Sequence, residues 1–176
     1  DPRQFIYDKS LENLYKDIQV PLPTTARNEY FEDLPEFLKD SEARKRWEMR
    51  FSSYQKSQES IKGYYRLVTG IDIAIARIRK QLEDSGLADN TIIIFMGDNG
   101  FFLGEKGLAG KWYPLEESIR VPLIVYDPRL SKSQKDRVLP QLTLNIDIAP
   151  TMLDMAGIEI PMVMQGKSLC PLLNDQ

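Results

Sequence analysis

The chain has 176 residues, 42% of them hydrophobic and 28% charged, with a net charge of −3. That length buries one core or supplies a large part of a bigger domain, and no apolar run approaches the roughly 20 residues that a membrane helix needs. Basic residues alternate with acidic ones, as across residues 41–50, so no one-signed stripe is available to bind a nucleic-acid backbone.

The first ten residues have neither a basic start nor an apolar stretch, so no signal peptide is expected there, and an initial Asp1 implies a cut or processed chain. Residues 1–52 are expected to form an irregular, short-helical segment without a core of its own, punctuated by Pro21, Pro23 and Pro35. Residues 53–176 are expected to form an α/β portion. It opens with a helix over 53–84, in which Tyr64, Leu67, Val68, Ile71, Ile75, Ile78 and Leu82 recur every three or four residues as one apolar stripe. Gly86 is placed to stop this helix, and Gly63 or Gly70 offers a point at which it could break.

Thr91–Met96 is a short continuous apolar run rich in β-branched residues, the pattern of a strand covered on both faces. Val121–Tyr126 is a second such run, and Leu142–Ile146 a third candidate strand. Residues 147–157 read as a short helix with Asp147 as its capping residue, Pro150 in its first turn and Gly157 at its end. Helix, strand, loop, strand, loop and helix in this order predict an α/β fold, a mostly parallel sheet flanked by helices.

Ligands of open α/β sheets bind beyond the carboxyl ends of the strands, where Gly97-Asp98-Asn99-Gly100 stands directly after the most hydrophobic strand. Asp98 offers a carboxylate oxygen and Asn99 an amide oxygen, although Asp-Asn-Gly is also an ordinary turn sequence. The absence of histidine excludes a Ser-His-Asp triad and a histidine-ligated zinc within this chain, and the single Cys170 excludes an internal disulfide. A metal held here is held by oxygen, which points to calcium or magnesium. A glycine-studded loop carrying Phe101, Phe102 and Lys106 then leads to Lys111, Trp112 and Tyr113. The four aromatics are expected to pack over the loop, with the lining of a sugar or aryl pocket as the other option.

The segments GDNG, LGEKG, GK and EESIRVPLIVYDP resemble the second half of the sulfatase family, within the alkaline-phosphatase-like superfamily. The resemblance runs over roughly residues 60 to 173 and implies an alkaline-phosphatase-like fold that is incomplete in this chain. It further implies that Asp98 and Asn99 are two ligands of the family's active-site cation, usually calcium, with magnesium as the second choice. Lys111 would contact the substrate's sulfate as the catalytic lysine, and Lys106 is a candidate substrate contact, with a solvated lysine as the other reading. Glu116, Glu117 and Arg120 are read as an Arg-carboxylate brace for the active-site loop.

Sulfatases use a formylglycine, hydrated to act as nucleophile, made from a C/S-x-P/A-x-R segment. No such segment occurs here, and Cys170, in Ser-Leu-Cys-Pro-Leu-Leu, is expected to be an ordinary thiol. The resemblance therefore implies a C-terminal piece of an enzyme acting on sulfated small molecules or glycans, whose missing N-terminal part carries the nucleophile and paired aspartates. A periplasmic, secreted or lysosome-like location is expected from the same source. Two other readings stand beside it: a phosphoryl-transfer hydrolase of the superfamily, and a non-catalytic binding or structural domain that kept the fold.

Overall fold

The computed structural model describes residues 5–174, so the reading of the N-terminus as lacking a signal peptide falls partly outside the described residues. The chain divides into two compact units, residues 1–88 with 94–124, and residues 89–93 with 125–176. The expected boundary at 52/53 lies inside the first unit. No helix among the described residues is long and apolar enough to cross a membrane.

In the first unit, short helices α1 (Asn28–Glu32), α2 (Glu36–Lys39) and α3 (Glu42–Arg50) precede the 31-residue α4 (Tyr54–Asp84). Ser41 and Ser53 cap α3 and α4 by accepting the backbone N–H groups of Arg44 and Lys56. The helix α4 runs through Gly63 and Gly70 without the break that sequence allowed. A Cβ on Gly63 would lie 3.2 Å from that of Phe5, so this glycine admits close packing. Gly86, with φ +67°, donates to the Glu83 carbonyl while Leu87 donates to that of Leu82, the paired bonds of a Schellman stop. The stripe of α4 is only partly covered: Ile61 is buried, whereas Val68, Ile71 and Ile78 are about half exposed.

Apolar residues of the N-terminal segment join a core shared with later parts of the chain. Val20 and Phe51 pack with Ile61 and Ala109, and Ala43 packs with Phe102 and Leu108. Three of these residues belong to a hairpin of β2 (Phe102–Leu103) and β3 (Ala109–Gly110), antiparallel with Phe102 opposite Gly110. Phe102, Leu108 and Ala109 are essentially inaccessible to water, so burial of this hairpin holds the unit together. Truncating a side chain as enclosed as Leu108 to alanine costs about 2–5 kcal/mol.

Strand β1 (Ile93–Met96) pairs with β4 (Leu123–Tyr126) in a second two-stranded sheet. Both strands fall within the predicted runs. The hairpin was not anticipated, because its strands are two residues long and carry no alternating pattern.

In the second unit the third candidate strand is a correction. Leu142–Ile146 forms no strand; Asn145–Asp147 is a 3-10 turn, with Leu142 92% exposed. The Leu144 N–H is taken by Asp147 Oδ2 at 2.8 Å and the Leu144 carbonyl by the Asp147 N–H at 2.9 Å. A local side-chain bond thus competes successfully with strand pairing. Asp147 does not cap α6 (Ile148–Met155), because its carboxylate serves Leu144 and Lys167 instead. The Asp147 carbonyl accepts from the fully buried Thr151 hydroxyl at 2.6 Å, and that hydroxyl accepts the Leu169 N–H at 2.9 Å, tying α6 to the segment before α7 (Cys170–Leu173). Cys170 is half-buried, and burial pushes its thiol above the ordinary range.

Arg129 clasps the buried Asp127 with two parallel bonds, Nε to Oδ1 at 2.9 Å and Nη2 to Oδ2 at 2.7 Å. Those hydrogen bonds hold the Asp127 carboxyl below its usual range. A depressed carboxyl stabilises the fold above the unfolded value of about 4 and loses that contribution as pH falls through its folded value. Thermal melts from pH 7 to pH 2 are expected to show Asp127→Asn less stable by about 1.5 kcal/mol at neutrality. The gap to wild type should close at the acid end.

Candidate active site

Beyond β1 the chain turns through Gly97–Gly100 with little freedom. The Gly97 N–H donates to the Pro122 carbonyl at 3.2 Å, and the Gly100 N–H to that of Ser118 at 2.7 Å. Ser118 belongs to α5 (Glu116–Ile119), which lies hard against the turn. A Cβ on Gly100 would stand 2.9 Å from the Arg120 carbonyl oxygen and closer still to that of Glu117, so contact, rather than dihedral freedom, demands glycine here.

Asp98 is exposed, and its Oδ1 accepts the Asn99 backbone N–H at 2.9 Å. The Asn99 amide spans the turn: Nδ2 donates to the Gly100 carbonyl at 2.8 Å, and Oδ1 accepts from Lys111 Nζ at 2.9 Å. Two of the three expected site residues therefore touch across a gap of 12 positions, and the third precedes one of them in the same turn. Lys111 follows β3 directly, so the buried hairpin carries it to Asn99.

The loop between β2 and β3 is tight. Gly104, Lys106 and Gly107 have φ of +109°, +53° and +67°. Arg44 lies over the Phe31 ring at 3.8 Å and the Trp47 ring at 4.1 Å, and donates to the Gly107 carbonyl at 3.2 Å. Burial draws the Arg44 guanidinium below its ordinary value. Glu105 accepts the Leu103 N–H, and its removal from water raises its carboxyl above the usual range. Lys106, the candidate substrate contact, gives its ammonium to Glu117 Oε1.

The expected brace is thus assembled differently. Arg120, just past the end of α5, pairs with Glu116 at 3.0 Å on the exposed surface, while Glu117 turns to Lys106. The sequence left open which carboxylate pairs with Arg120; the i, i+4 spacing of Glu116 and Arg120 was the available signal, and nothing in the sequence pointed to the pairing of Glu117 with Lys106. The aromatics pack as expected with one exception. Phe102 is core, Phe101 meets Phe5 and Tyr64, Tyr113 meets Phe37, and Trp112 is 52% exposed.

Asp98 and Asn99 present hard oxygens suited to a calcium- or magnesium-type ion, but calcium takes about six to eight. Among the described residues no group of three or more acidic, cysteine or histidine side chains converges on a metal position. The pair fits such an ion as part of a ligand set.

The family model described as Sulfatase matches residues 7–158, more than half of the chain. The chain belongs to the sulfatase family. An N-acetylglucosamine-6-O-sulfatase of Bacteroides thetaiotaomicron is 40% identical over 121 residues, 69% of this chain and 21% of that protein. An arylsulfatase of Clostridium perfringens is 33% identical over the whole chain, which spans 35% of its length. Among solved structures, a phosphonate monoester hydrolase from Silicibacter pomeroyi superposes with TM-score 0.75 at 25% identity, over 98% of this chain and 35% of that one. A structure solved with its substrate D-glucosamine-2-N,6-O-disulfate superposes with TM-score 0.64 at 30% identity, over 97% and 35%. These neighbours give the fold as α/β and alkaline-phosphatase-like, in a chain spanning between a fifth and about a third of the length of these four relatives.

Gly100→Ala is expected to destabilise the first unit by about 3 kcal/mol, read as a lower urea midpoint, because the methyl group meets two backbone carbonyls that cannot yield separately.

Proposed function

We propose that this chain is the cation- and lysine-bearing part of an enzyme hydrolysing sulfate esters of carbohydrates or aryl compounds. The observation that carries the reading is the Lys111 Nζ to Asn99 Oδ1 contact at 2.9 Å, which brings an ammonium to the turn beyond a strand that carries the Asp98 and Asn99 oxygens. Asp98 and Asn99 would hold a divalent ion, calcium or alternatively magnesium. Bound there, that ion would neutralise sulfate oxygens and help activate the nucleophile. Lys111 adds positive charge beside the sulfate oxygens as the nucleophile attacks sulfur and the ester oxygen leaves with the alcohol, and its bond to Asn99 orients the ammonium beforehand. The nucleophile, a formylglycine, and the remaining ligands would come from sequence outside these residues. The half-exposed apolar face of α4 between Val68 and Ile78 supports that reading, because such a stripe fits a place against a larger sheet.

The isolated 176-residue chain is expected to bind calcium no more tightly than about 10⁻³ M by calorimetry. It should also give no cation-dependent turnover of 4-nitrophenyl sulfate or N-acetylglucosamine 6-sulfate; turnover by this chain alone would refute the division of labour. In a protein of the relatives' full length carrying this chain, Lys111→Ala should lower kcat/KM on sulfate esters by about 100-fold or more, with little change in Tm. Full activity in that variant would remove Lys111 from the site. A preference for phosphonate over sulfate esters would shift the reading to the chemistry named for the Silicibacter pomeroyi neighbour.

A further inference from the structure

The turn bearing Asp98 and Asn99 and the hairpin bearing Lys111 are separate stretches of backbone, and one residue meets both, the first through its backbone and the second through its side chain. Glu117 lies on α5, whose Ser118 carbonyl accepts the Gly100 N–H and whose backbone leaves Gly100 no room for a Cβ. Its carboxylate accepts from Lys106, in the loop that leads through β3 to Lys111. The side chains of Lys106 and Glu117 are only 27% and 19% exposed, unlike the Arg120–Glu116 pair beside them at 82% and 69%.

Three local features oppose this arrangement, and it persists nonetheless. Lys106 holds a left-handed backbone, φ +53°, that residues other than glycine rarely adopt. Glu117 Oε2 is buried with no hydrogen-bond partner, and so is the Ser118 hydroxyl. Glu105, next in the chain to Lys106, is largely removed from water and is held above its usual range by burial first, with the Glu117 charge contributing in the same direction. Strain and unsatisfied polar atoms gathered in one place mark a site kept for its geometry.

We propose that Lys106 and Glu117 form a positioning latch: the pair fixes the separation of Asn99 Oδ1 and Lys111 Nζ by bracing the hairpin loop against α5. Lys106 acts through Glu117 and does not touch substrate. The latch rests on the reading of Asp98, Asn99 and Lys111 as the site, but its geometry can be measured without any ligand.

The test is amide hydrogen exchange and side-chain amide NMR on the 15N-labelled 176-residue chain. Lys106→Met and Glu117→Gln are each expected to speed exchange of the Gly100 amide about tenfold and to shift the Asn99 side-chain NH₂ signals, while exchange in α4 stays unchanged. The double variant should be no worse than either single one, and Lys106→Arg, which keeps the charge, should hold Gly100 within about twofold of wild type. Unchanged Gly100 and Asn99 signals in both single variants overturn the latch. So does a matching loss of protection in α4, which would mean a merely structural pair. Should the neutral variants fail to fold, Lys106→Arg and Glu117→Asp decide: faster Gly100 exchange in the aspartate variant alone supports the latch, and any other pattern overturns it.

In a full-length protein the same two neutral variants should lower kcat together on 4-nitrophenyl sulfate. A rise in KM confined to Lys106→Met would make Lys106 a substrate contact and overturn the proposal. Absence of sulfate-ester turnover in the unsubstituted full-length protein would instead sink the sulfatase activity and leave the exchange result standing.

Discussion

A methyl group at position 100 has nowhere to go, and the geometry of the site follows from that fact. Because Gly100 can lie against the carbonyls of Glu117 and Arg120, α5 seals one side of the turn that presents Asp98 and Asn99. The turn is therefore held by backbone contact and two backbone hydrogen bonds, an arrangement with few rotatable parts. A site that must hold charged groups to within a fraction of an ångström gains from such rigid support.

The second half of the site depends on the core. Phe102, Leu108 and Ala109 are buried against side chains from α3, α4 and the preceding loops, so the hairpin cannot shift without opening the centre of its unit. Lys111 leaves that hairpin at its end and needs only its own side chain to reach Asn99. Hydrophobic burial sets the position coarsely, and the polar contacts among Arg44, the Gly107 carbonyl, Lys106 and Glu117 set it finely. The N-terminal segment matters here for its packing: Phe31, Ala43 and Trp47 form part of the bed in which the hairpin lies.

Much was legible in the order of residues. A 3.6-residue apolar period ending at Gly86 gave α4 to within a residue, and runs of β-branched residues located β1 and β4. The segments GDNG, LGEKG and GK resemble one family, and the family assignment of the chain agrees. Local periodicity carries such information because helices and buried strands impose it on every residue they contain.

What the sequence could not disclose were choices between competing partners. Leu142–Ile146 alternates like a strand, yet Asp147 claims the Leu144 N–H and closes a turn, since a hydrogen bond three residues away forms without the entropy of a long-range pairing. Glu116 and Glu117 are chemically identical neighbours, and only the tertiary structure sends one to exposed Arg120 and the other into the interior to Lys106. The sequence by itself determined that a carboxylate, an amide oxygen and an ammonium stand close to the end of one strand. The folded chain decided that Asn99 and Lys111 meet and that Glu117 is tied to both of their supports, because contacts between residues far apart in the chain are settled by packing, which no local pattern records.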